Sequence, residues 1–233
     1  MSDASAPVEP RPSGTAIALR DRDSGIEVLL VHKGGGRQFH AGSWVFPGGA
    51  VDDDDRNGLA PDDHLGACRV AAIRETFEES GVHVEPGSLV AFSHWTTPEM
   101  APRRFATWFF LATVDASAEH VPTFDGQEIQ DAAWMTPGVA LERHHAGEID
   151  LPIPQYVSLL GLREHPTAAA AQQAARAAEP VRYLGQLRDA GGGRMVFVYE
   201  ADAAYGGHPL DAPGPRHRLV IDGRQMTYEP LTP

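Results

Sequence analysis

The chain has 233 residues, 42% of them hydrophobic, enough to bury a full core in one domain with an extension. A formal net charge of −13 with no basic cluster argues against a surface that coats nucleic acid, but leaves room for a small ligand whose charge is met locally. The single cysteine, Cys68, excludes an intrachain disulfide, and no stretch is long and apolar enough to span a membrane.

In chain order, residues 1–14 lack the basic and apolar parts of a signal peptide and read as a short disordered tail, so a cytoplasmic protein is expected. Thr15–Leu19 and Glu27–His32, separated by Asp21–Gly25, form a hairpin signal. A glycine-rich loop at 34–36 follows, then Trp44–Phe46 as a further strand. His64–Ser80 reads as one helix, started by Pro61-Asp62-Asp63 and stopped by Gly81. On a wheel, Leu65, Val70, Ala72, Ile73, Thr76 and Phe77 form its apolar side. Cys68, on the same helix, is expected to be a small core residue rather than a nucleophile. Leu89–His94, Phe105–Val114 and Trp134-Met135 are strand-like, and Val139–Arg143 reads as a short helix. Pro154–Ala178 reads as two helices broken at His165-Pro166. Beyond residue 179 come strands at Arg194–Tyr199, Arg218–Ile221 and Gln225–Tyr228, the last two joined by an Asp222-Gly223 turn. Strands around one prominent helix, with later helices behind, predict an α/β sandwich over 15–178. Residues 179–233 are expected to form a small β extension, packed on the core or on a second subunit in a homodimer.

The chemistry concentrates in one helix. Glu75, Glu78 and Glu79 are three and four residues apart and so are neighbours on its surface. Such a cluster is either a solvated acidic face or a site where a divalent cation removes the repulsion, since carboxylate oxygens are the ligands Mg²⁺ and Mn²⁺ prefer. Arg74 stands directly before it, able to orient a carboxylate through a forked hydrogen bond. Upstream, Gly48-Gly49 after Phe46-Pro47 is either an ordinary turn or a place where backbone approaches a ligand closely. The two segments together favour the cation site.

These residues resemble the Nudix box, G-x5-E-x7-R-E-U-x-E-E-x-G-U with U apolar, the signature of the Nudix hydrolase superfamily. Gly49 matches its first glycine, and Arg74, Glu75, Glu78, Glu79, Gly81 and Val82 its second half. Thr76 stands where the family has an aliphatic residue, and Gly49 is separated from Arg74 by about eleven residues more than the family spacing. The early glutamate therefore has two candidate positions: Asp55 counted from Gly49, or Gly66 counted back from Arg74. The resemblance covers roughly residues 15–145. It implies a Nudix-type α/β/α sandwich with a mixed sheet, and Mg²⁺- or Mn²⁺-dependent cleavage of a nucleoside diphosphate linked to another moiety.

By the same resemblance Glu75, Glu78 and Glu79 would hold the metal, with the carbonyl of Gly48 or Gly49 completing the shell, and Arg74 would orient Glu75 or a neighbour. The general base would be a box glutamate or Glu128, in a loop before Trp134. Arg37 and His40, beside His32 and Lys33 near the glycine-rich loop, are candidates to meet the diphosphate, and Arg104 is a third. Trp95 and Trp108 are candidates to stack on a base or to fill the core. The long insert, the run RRFATWFFLA and the run GEIDLPIP are similar to the CoA and acyl-CoA diphosphatase branch, which makes CoA species the leading substrate. The rival reading is a non-catalytic nucleotide-binding or regulatory protein on the same fold; the intact glutamates argue against it.

Overall fold

The structure is a computed structural model and describes residues 8–35, 40–115, 123–124 and 128–231. The chain divides into two compact units: Pro12–Ser93 with Thr107–Val181, and Met1–Arg11 with His94–Ala106 and Arg182–Pro233.

The first unit is built on a forked pair of strands. β1 (Arg11–Arg22) and β2 (Gly25–Lys33) pair antiparallel at their hairpin end, Leu19 opposite Val28 and Arg22 opposite Gly25. Beyond it the strands take different partners. β2 pairs with β3 (Trp44-Val45) at Val31 and His32, whereas β1 pairs with β4 (Gly48–Ala50) at Ser13–Thr15. The segment from Trp44 to Ala50 thus bridges the fork, and Gly48-Gly49 lies in a strand rather than a turn.

Against β1 lies α1 (His64–Ser80), bounded as its caps require: Asp63 accepts from Gly66 N at 2.8 Å, and Gly81 closes it at φ 70°. Its buried stripe is Ala67, Cys68, Ala71, Ala72, Thr76, Glu79 and Ser80. Val70 and Phe77, expected on the apolar side, are 38% and 48% exposed. The reason is close approach. A Cβ at Gly14 of β1 would run into the Cys68 carbonyl, so only small side chains fit between strand and helix. Thr76 turns its hydroxyl back to Ala72 O at 2.6 Å, which explains why a polar residue is tolerated in that stripe.

β5 (Val90–Thr96) and β6 (Phe105–Thr113) follow, and the division between units falls within both strands. Phe110, Ala112, Leu89 and Val84 meet Ala16, Cys68 and Ala72 in the core, with Trp108 packed against that cluster. β7 (Ile129–Met135) runs antiparallel to β2. Three helices follow: α2 (Pro137–His145), α3 (Ile153–Leu162) and α4 (Ala168–Ala177). The alanine-rich α4 is anchored by Gln172, which donates to Ser88 O and Leu111 O at 2.6 and 3.1 Å.

The second unit contains an antiparallel meander of β8 (Val181–Gly191), β9 (Arg194–Tyr199), β10 (Arg218–Asp222) and β11 (Gln225–Glu229). Trp95 stacks on Tyr183 with ring centroids 3.7 Å apart, so its face is covered within the protein instead of being open to a base. Asp202 is buried and accepts from His217 N at 2.8 Å and Arg218 Nε at 2.7 Å, pinning the loop between β9 and β10. Among the described residues no helix is long and apolar enough to cross a membrane.

Candidate active site

The C-terminal half of α1, the β4 strand and the end of β2 bring the acidic residues together around two cations. Arg74 is the hub of the first group. Its Nε and Nη2 fork onto Asp55 at 3.0 and 2.9 Å, and its Nη1 donates to Glu75 Oε1 and to Glu78 Oε2, both at 2.9 Å. Nη2 also reaches the Ala50 carbonyl at 3.2 Å and lies 3.7 Å from Asp52. One guanidinium therefore ties the box helix to β4 and to the Asp-rich segment.

Asp55 is the residue of that segment held most closely by Arg74. It sits on a short 3-10 turn, Asp54–Arg56, is 2% exposed, and also accepts from Asp52 N at 2.9 Å. Gly66, the alternative position, lies in the first turn of α1. The spacing from Gly49 is thus kept, and the extra length lies between Asp55 and Arg74. Burial opposes the charge on Asp55, but the Arg74 hydrogen bonds outweigh it and hold its carboxyl below the ordinary range. The Asp55 contact likewise raises Arg74 above an already high value.

Lys33 is the hub of the second group. Its Nζ donates to Glu79 Oε1 at 2.8 Å and lies 3.6 Å from Glu128. The other oxygen of Glu79 accepts from Gly48 N at 3.0 Å. Gly48 thus meets the cluster through its amide, while a Cβ at Gly49 would run into the Glu75 carboxylate. That is the close approach the paired glycines permit. Burial pushes Glu75 and Glu79 above the ordinary carboxylate range, although Arg74 and Lys33 act against it. Burial likewise opposes the charge on Lys33, but its carboxylate neighbours prevail and raise it.

The other candidates are placed differently. His40 adopts φ 61°, and burial followed by repulsion from Lys33 lowers its pKa to about 4, so near neutrality it is an uncharged ring. Arg37 lies outside the described residues. Arg104 belongs to the second unit, where it is 8% exposed and donates to Val8 O at 2.7 Å and Thr97 O at 3.0 Å; backbone carbonyls engage the guanidinium expected to meet substrate. Cys68 is buried, with its thiol pushed up to about 11 by burial, a core residue and not a nucleophile. In the sequence Lys33 is only one of several cations beside the glycine-rich loop. Its pairing with Glu79 spans 46 residues and depends on strand register, which leaves no local signal.

As the side chains stand, no group of three His, Cys, Asp or Glu residues among those described converges on one point for a metal ion. The carboxylates point instead at Arg74, Lys33 and the Gly48 amide. Their chemistry nevertheless fits a hard divalent cation: Asp52, Asp55, Glu75 and Glu78 gather around Arg74, and Glu79 and Glu128 around Lys33.

The NUDIX domain family model matches residues 10–153. A Caenorhabditis elegans protein named "Putative nudix hydrolase 7" is 29% identical over 175 residues, covering 59% of this chain and 56% of that one. The Xenopus laevis protein named acyl-coenzyme A diphosphatase NUDT19 is 23% identical over 231 residues, covering 60% of each. The chain thus spans less than two thirds of the length of these curated relatives. Among solved structures, a NUDIX hydrolase from Alicyclobacillus acidocaldarius superposes with a TM-score of 0.62 at 26% identity, covering 71% of this chain and 96% of its own. The NUDIX domain of Shewanella oneidensis NrtR, solved with ADP ribose, shares the fold at a TM-score of 0.50 and 16% identity, covering 70% of this chain and 92% of its own. The α/β sandwich with its glycine-lined acidic helix, and a family match over more than half its length, make this chain a member of the Nudix hydrolase family.

Proposed function

We propose that the chain hydrolyses the diphosphate linkage of a nucleoside diphosphate joined to another moiety, with Mg²⁺ or Mn²⁺ as cofactor and CoA or acyl-CoA as the leading substrate. The observation that carries this reading is the gathering of Glu75, Glu78 and Glu79 by Arg74, Lys33 and Gly48 N beside the Gly48-Gly49 strand. Those three glutamates, with the Gly48 carbonyl, would hold the ion. When bound, it supplies charge neutralisation for the diphosphate oxygens and lowers the pKa of water.

The chain's own residues do the rest. Arg74 fixes the Glu75 and Glu78 carboxylates, so little orientation remains to be lost when substrate arrives. Glu128, whose side chain is 54% exposed, takes the proton from the attacking water, with Glu78 and Glu79 as the alternative bases on the helix. The choice of CoA rests on the RRFATWFFLA and GEIDLPIP runs and on the 23% likeness to a protein named acyl-coenzyme A diphosphatase.

A panel of CoA, acetyl-CoA, NADH, ADP-ribose, diadenosine polyphosphates and deoxynucleoside triphosphates, assayed with Mg²⁺ or Mn²⁺ and again with EDTA, tests the proposal. CoA is expected to give 3′,5′-ADP and a phosphopantetheine, and EDTA to abolish release. Absence of turnover across the panel, or turnover that survives EDTA, would overturn it.

A further inference from the structure

An irregularity in the sheet lies beside Lys33. In the β2–β7 ladder His32 faces Asp131, but Lys33 faces Ile129, so Gln130 is passed over. Such a bulge re-aims the side chains beside it. It brings Glu128 to the end of β2, where Gly34 N donates to the Glu128 carbonyl at 2.8 Å. The Lys33 ammonium then lies between two carboxylates from separate elements, 2.8 Å from Glu79 and 3.6 Å from Glu128. The Lys33 and Glu79 side chains are only 14% and 7% exposed, so the pair is shielded from solvent.

We propose that Lys33 is a positioning residue of the site: it holds Glu79 and Glu128 together and competes with the divalent ion for Glu79. This rests on the carboxylate–metal reading above. The Gly48 amide keeps its hold on the second oxygen of Glu79. A positive charge this near Glu79 repels an incoming divalent ion, and its release is part of the cost of loading.

The test is direct titration of Mn²⁺ into substrate-free protein, read by calorimetry or by the free-Mn²⁺ resonance. Lys33→Met is expected to bind Mn²⁺ at least about tenfold more tightly than the unsubstituted chain, and Lys33→Arg, which keeps the charge, to stay within about threefold of it. In the unsubstituted chain, acetylation of Lys33 measured by mass spectrometry is expected to rise on saturation with Mn²⁺, a readout that needs no variant to fold. Equal or weaker binding by Lys33→Met, or acetylation that does not respond to Mn²⁺, would overturn the proposal. Glu79→Gln separates the two levels of the argument. If the unsubstituted chain binds Mn²⁺ and Glu79→Gln does not, the metal site stands whatever Lys33 does; if both bind alike, the site assignment itself fails.

Discussion

Asp55→Asn offers the sharpest probe of how the acidic segment serves the site. The substitution keeps the shape of the side chain and removes its charge. Asp55 is 2% exposed, and its partner Arg74 has 26% of its side chain exposed. Breaking a fully buried pair costs about 3–5 kcal/mol and breaking an exposed one about 0–1, so a pair buried on one side falls near 2–3 kcal/mol. For a chain of this size that corresponds to a fall of about 4–12 °C in melting temperature. The loss spreads, because the same guanidinium carries Glu75, Glu78 and the Ala50 carbonyl. Loss of an anchor behind a metal-binding carboxylate typically costs about 10–100-fold in activity.

Thermal denaturation and turnover of the best substrate from the panel measure both effects. Asp54→Asn is the control: Asp54 is exposed and should change stability by no more than about 0.5 kcal/mol. The sign with pH is also set. The native carboxyl of Asp55 lies below its ordinary value of 3.8, so its stabilisation is complete above that pH and is lost as pH falls through the native value. The gap between the unsubstituted chain and Asp55→Asn should therefore close in acid. An unchanged melting temperature together with unchanged kcat/KM would refute the reasoning and leave Asp55 as an incidental loop acid.

Three further outcomes are expected. Glu79→Gln removes the carboxylate shared by Lys33 and Gly48 N and should lower kcat/KM by about a hundredfold or more with the fold retained by circular dichroism; full activity would remove Glu79 from the site. Gly49→Ala places a methyl group against the Glu75 carboxylate and should cut kcat/KM by about tenfold; wild-type kinetics would show that Glu75 can move aside. Asp202→Asn, in the second unit, opens a pair whose side chains are 0% and 8% exposed and should cost about 3–5 kcal/mol in denaturant unfolding. The native Asp202 carboxyl is also held below its ordinary value, so this difference too should shrink as pH falls through that value.

What the sequence made legible was mostly local. The limits of α1 follow from Asp63 and Gly81, because a cap is a contact within one turn. The β1–β2 hairpin and the β10–β11 turn follow from residues beside each other in the chain. β8 escaped because only Tyr183 and Gly185 along it are buried, and Gly185, where a Cβ would press on the Tyr199 ring, adds no apolar signal. The helix wheel misplaced Phe77 and Val70 because hydropathy ranks residues by transfer energy, whereas the space against Gly14 selects by size. Among site residues, Glu75, Glu78 and Glu79 could be grouped from spacing alone. The pairing of Lys33 with Glu79 joins β2 to α1 across 46 residues, and nothing adjacent in sequence announces it.

The long gap between Gly49 and Arg74 can be explained in the same terms. Motif spacing matters only where it sets geometry, and here it does so twice. Five residues separate Gly49 from Asp55, and this short stretch has to bring one carboxylate under β4 within reach of Arg74. Arg74 to Glu79 is one and a half turns of α1, which has to put three carboxylates on adjoining rows. Between Asp55 and Arg74 the chain needs only to return, and loop closure grows more costly only slowly with length. Eighteen residues therefore serve between them, partly as turns and partly as the opening turns of the helix. The Arg74 fork onto Asp55 fixes both ends of this insert, so extra length there leaves the charge geometry of the site intact. Shortening the segment between Arg56 and Pro61 should accordingly be tolerated far better than the single change Asp55→Asn.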